Sequence, residues 1–146
     1  MKHYGALALW ALLPIPVGKL YNMALGTGIF LYPVADLAFL AFWGWLAFTL
    51  CDREERLIPQ LGIFLAPAVA ALALNVLYFY GPQSLRSLIW WGSYYFSTGT
   101  LLAAELYGRA IFTGFGEEHL SFLLSVAVFC AMSLLALGGM MLKKKA

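Results

Sequence analysis

Two ionisable side chains interrupt an apolar run. Glu105 and Arg109 fall inside the hydrophobic stretch 87–112, four residues apart. On a helix that spacing places them on one face, within reach of an ion pair. A charge buried at the centre of a bilayer costs about 2.5–3.5 kcal/mol on insertion scales, so such a pair marks a candidate ion or proton path. Ser97 extends the same face into a polar stripe. A structural reading competes with this one. Arg109 lies near the end of its stretch, where its long stem reaches the headgroups, and Glu105 then serves to neutralise it.

Asp36 and Asn75 are the other polar interruptions. Asp36 follows Pro33 by three residues, so it suits the first turn of a helix, where the positive dipole end favours a carboxylate. Asn75 stands deep in an apolar segment and is expected to hydrogen-bond a neighbouring helix, a contact averaging about 0.6 kcal/mol. Glu117, Glu118 and His119 form a small cluster of the kind that ligates divalent metals. Adjacent positions do not converge on one ion without help from elsewhere, and two carboxylates before a helix complement its dipole. Cys51 and Cys130 have no metal or CxxC spacing, and a disulfide between them would need their helices to pack at one depth.

The elements that must position these residues follow from composition. Of 146 residues, 63% are hydrophobic and 11% charged. Ordinary soluble domains run about 45–50% and about 25%, and a chain this short cannot hide so much apolar surface from water. Lipid is the expected solvent. A spanning helix needs about 20 apolar residues, and four stretches reach that length: about 29–51, 57–80, 87–112 and 120–142. The breaks CDREERL, GPQSLRS and TGFGEEH are short and polar, so neighbouring helices should run antiparallel. The expected fold is an all-α membrane protein, a single domain over 1–146 with four to five transmembrane helices and short loops.

Residues 4–17 are the ambiguous piece, because Pro14 and Pro16 interrupt the end of a short apolar run. Lys2 before that run resembles a signal-peptide start, but no small-residue cleavage site follows, so it is read as retained. With residues 1–28 on one side, Lys2, Lys19, Arg86 and the three C-terminal lysines lie opposite Arg53 and Arg56. With residues 4–17 crossing, Lys19, Arg86 and the three lysines face Lys2, Arg53 and Arg56. The excess of basic residues favours four spans, and both counts set the C-terminus in the cytoplasm of an inner-type membrane. Both also set the DREER break on the opposite side.

The stretch LLPIPVGKLYNMALGTGIFLYP resembles the turn motif of TM2-like small membrane proteins, carried here by Gly18, Leu20, Tyr21, Asn22 and Gly28. Glycines permit a tight interfacial turn and tyrosine anchors at headgroup level. Pro16 and Met23 stand where the family pattern has glycines. The resemblance covers the first third of the chain and implies two crossings there, hence five spans. It brings no catalytic residues.

Ala66 and Ala70, and Gly99 and Ala103, have small-xxx-small spacing for close helix approach. Trp90, Trp91, Tyr94 and Tyr95, with Tyr78 and Tyr80, read as an interfacial aromatic belt, with a binding groove as the lesser reading. No nucleophile elbow, phosphate loop, HExxH or paired buried histidines appear, which disfavours an enzyme, and no cofactor or metal is expected. A basic stripe for nucleic acid is also absent. The expected partners are the lipid bilayer and either other membrane subunits or copies of the chain. An accessory or assembly subunit is the leading expectation. A small homo-oligomeric transporter or channel using Glu105 and Arg109 is the alternative.

Overall fold

In the computed structural model, backbone is described for residues 2–25, 32–84, 94–96 and 117–146, and side chains for 3–24, 34–84, 94–96 and 122–146. Every regular element among them is a helix. They are α1 (Lys2–Ala11), α2 (Pro14–Leu25), α3 (Tyr32–Leu50), α4 (Leu57–Tyr80) and α5 (Glu117–Lys145). Three segments are long and apolar enough to cross a membrane: His3–Ala24, Leu57–Tyr80 and Phe122–Lys145. α3 has 19 residues, about 28 Å at 1.5 Å per residue, just under a hydrocarbon core of about 30 Å.

The first of these segments shows why the prolines do not end the N-terminal run. Pro14 is the first residue of α2 and Pro16 lies in its first turn, where a missing N–H leaves no intrahelical bond unmade. Tight bonds cover the joint: Leu12 donates to Leu9 at 3.2 Å, Leu13 to Trp10 at 3.1 Å and Ile15 to Leu12 at 3.1 Å. The helix therefore tightens at Leu12 and Leu13 and continues to Leu25. Gly18, Tyr21 and Asn22, expected in an interfacial turn, lie within α2 instead. Gly18 and Tyr21 are buried there, and Gly28 lies outside the described residues.

α5 packs chiefly on α3 and α4, and α1 packs on α4. The core is aromatic and closely filled. Trp43 of α3 stacks on Phe64 of α4 with ring centroids 4.5 Å apart. Phe96 meets Tyr95 and Phe129 edge-on. Ala11, Ala68, Ala71 and Ala136, all wholly buried, let the helices approach between these rings. Ala66 and Ala70 do not serve that purpose, since both face outward and Ala68 and Ala71 take the inner face. Gly99 and Ala103 lie outside the described residues.

The close helix approach occurs elsewhere. A Cβ on Gly139 of α5 would collide with the Gly44 carbonyl oxygen of α3 and lie 3.1 Å from the Phe48 amide. Only glycine fits. The outer faces remain apolar, with between 22% and 28% of each candidate span buried within the chain. Most residues of each span are therefore at least partly exposed.

Lys144 donates through Nζ to the carbonyls of Arg53, at 3.0 Å, and Glu55. The C-terminal lysines and the DREER loop thus share one end of the bundle, joined there by His3 at the start of α1. This corrects the alternation expected from the charge counts, which set the loop and the lysines on opposite sides. At the other end, Tyr80 and Phe122 meet edge-on, with centroids 5.6 Å apart. α4 therefore finishes where α5 begins, and α5 runs parallel to α3. The expected span 87–112 lies outside the described residues, apart from Tyr94, Tyr95 and Phe96.

Candidate functional site

The polar end is organised by Gln60, a residue that sequence reasoning passed over. It sits one turn into α4 and is wholly buried. Its Oε1 accepts from the Asp52 amide at 2.7 Å and from His3 Nε2 at 2.9 Å. The two N–H groups of its Nε2 are shared among the carbonyls of Asp52, Glu55 and Arg56, at 3.0, 3.2 and 3.3 Å. An amide side chain offers two donors and an acceptor with two lone pairs, so this one side chain closes the loop back onto α4 and ties α1 to both. The signal was a lone glutamine in the first turns of an apolar helix beside a charged loop.

The remaining groups extend the network. Tyr4 donates to Glu55 Oε2 at 2.8 Å, and Asp52 Oδ1 accepts from the Glu54 amide at 2.9 Å. The Lys143 ammonium stands 5.0 Å from the centroid of the Phe48 ring, within range of a cation–π contact. Cys51, just past the end of α3, is buried. Burial raises its thiol above the ordinary value, while Lys144 nearby pulls it down. An open cleft of about 620 Å³ lies over this network, lined by His3, Thr49, Asp52, Arg53, Glu54 and Lys143 among others.

A second set of polar side chains is buried further along the bundle. Asp36, Asn75, Ser125 and Tyr21 come from four different helices and are at most 8% exposed. Asp36 lies beyond the first turn of α3, which contains no acidic residue, so the dipole reading for it is corrected to burial against neighbouring helices. Asn75 is buried as expected, yet neither atom of its amide has a hydrogen-bond partner among the described residues.

Tyr95 is likewise not interfacial. It is wholly buried, and its hydroxyl donates to the Ala11 carbonyl at 2.7 Å. That carbonyl is free because Pro14 has no N–H and Ile15 donates to Leu12 instead. The broken helix creates an acceptor and Tyr95 fills it.

Glu105 and Arg109 lie outside the described residues. Glu117, Glu118 and His119 form the first three residues of α5, and their side chains also lie outside. Among the described residues no group of His, Cys, Asp or Glu converges to hold a metal. Cys51 and Cys130 are both free, the first buried and the second exposed. No family model, no curated protein and no solved structure matches this chain.

Proposed function

We propose that this chain is an integral membrane helical bundle that works by packing, as an accessory or assembly subunit of a larger membrane complex. The observation that carries the proposal is the filled interior. Trp43, Phe64, Tyr95, Phe96, Met132 and Met140 are each wholly buried, so large side chains fill the described core. The apolar outer faces and the glycine-tight joint of α3 and α5 support the same reading. Lys2, Arg53, Arg56 and the C-terminal lysines gather at one end, which by the positive-inside rule is the cytoplasmic face of an inner-type membrane. The test is gentle extraction from the native membrane, followed by the mass and composition of the particle. Other proteins in fixed ratio support the subunit role, and particles holding only this chain overturn it.

A homo-oligomeric transporter is the second reading, favoured by the buried Asp36 and the unpartnered amide of Asn75. Intramembrane polar groups are functional candidates by default, and Glu105 and Arg109 belong to this reading as coupling residue and modulator. Flux through reconstituted protein that is unchanged by Glu105→Gln removes Glu105 from that role.

A further inference from the structure

Beside the cleft at the polar end lies a second depression on the outer surface of the bundle. This one is an apolar groove between α3 and α5 of about 350 Å³, lined by Gly44, Trp45, Phe48, Leu134, Gly138 and Leu142 among others. The two meet at Lys143 and Phe48. Phe48 and Leu142 line the groove, while their sequence neighbours Thr49 and Lys143 line the cleft. The Lys143 ammonium lies over the Phe48 ring at that border.

We infer that groove and cleft together form a binding site for one glycerophospholipid with a zwitterionic, ammonium-bearing headgroup. This rests on the membrane reading above. Leu134 and Leu142 are eight residues apart on α5, about 12 Å of helix, comparable with one leaflet's hydrocarbon depth of about 15 Å, half of the core. The groove exists because side chains are missing. At Gly138 an added Cβ would meet nothing within 4 Å, so open space remains between Trp45, Leu134 and Leu142, all more than half exposed. An acyl chain covers these surfaces and its phosphate arrives at the border with the cleft.

Charge selects the headgroup. The cleft wall carries Arg53 and Lys143, and also Asp52 and Glu54. A headgroup of one sign would meet as much repulsion as attraction there. A phosphate beside an ammonium satisfies both, the phosphate on Lys143 and Arg53 and the ammonium on Asp52 and Glu54. Lys144 is already engaged by loop carbonyls.

The test is native mass spectrometry of the full chain, released from vesicles of equal parts phosphatidylethanolamine and phosphatidylglycerol. The wild type should retain one phosphatidylethanolamine per chain. Gly138→Leu, whose Cβ meets no protein atom within 4 Å and whose branched end enters the groove, should abolish retention while leaving the chain folded by thermal unfolding. Lys143→Gln should weaken retention about fivefold, the factor for roughly 1 kcal/mol per headgroup contact. Lys145→Gln, outside the cleft, should match the wild type. Retention unaltered in both Gly138→Leu and Lys143→Gln overturns the site, and exclusive recovery of phosphatidylglycerol overturns the headgroup assignment. A chain that stays out of the membrane fraction overturns the membrane reading itself.

Discussion

Gly139 lies on the backbone of Gly44, with the Phe48 amide 3.1 Å from where a Cβ would stand. Two helix backbones touch there with no side chain between them. Under the proposed membrane reading, apolar side chains gain little by leaving lipid, and such van der Waals contact holds the helices together. One residue earlier, Gly138 faces open space. Two adjacent glycines therefore have opposite tolerances.

Gly139→Ala should destabilise the fold by about 1–3 kcal/mol, the usual cost of inserting atoms into a filled contact. Gly138→Ala should be neutral or stabilising by up to about 1 kcal/mol, through helix propensity. Thermal unfolding in one detergent measures both. Equal losses for the two variants would contradict the described crossing of α3 and α5.

Gln60→Leu retains the volume of the side chain and deletes its hydrogen bonds to the loop and to His3. It strands the half-buried Asp52 amide, and the cost falls at or below the about 1–3 kcal/mol of a fully buried unsatisfied group. Hydrogen exchange at the Asp52 amide should accelerate strongly, with little change along the middle of α4. Unaltered exchange would show that the carboxamide does not hold the loop.

Tyr95→Phe removes a single hydroxyl, and with it the partner of the Ala11 carbonyl. A loss of about 1 kcal/mol is expected, within the range of a single hydrogen bond. Tyr95→Ala should cost several times more, because it also empties a wholly buried ring site beside Phe96. A Tyr95→Phe variant as stable as the wild type would assign Tyr95 to packing alone.

Single cysteines at Glu54 and Lys145, in a chain with Cys51 and Cys130 replaced by serine, should react with an impermeant thiol reagent from the same side of sealed vesicles. A cysteine at Gln83, beyond the end of α4, should react from the other side. Labelling of positions 54 and 145 from opposite sides would contradict the contact of Lys144 with the carbonyls of Arg53 and Glu55.

Length, hydropathy and breaker residues were enough to place much of the helical framework. The expected span 57–80 coincides with α4, and 29–51 and 120–142 fall close to α3 and α5. That information is local. A run of apolar residues satisfies its own backbone as a helix whatever lies beside it. The side of the bundle on which a loop emerges is a property of the whole path, so counting charges could not bring the DREER loop to Lys144. Small-residue spacing was equally blind to partners. It pointed to Ala66 and Ala70, while the packed joint uses Gly44 and Gly139, separated by 95 residues of chain. Asp36 and Asn75 were visible as polar residues in apolar runs, because their cost in lipid does not depend on the fold. Gln60, His3 and Tyr95 gained their roles only from tertiary structure. Gln60 and Tyr95 answer backbone groups left unpaired by a loop or a broken helix elsewhere in the chain, His3 adds a bond to the Gln60 side chain, and those demands arise only once the helices are packed.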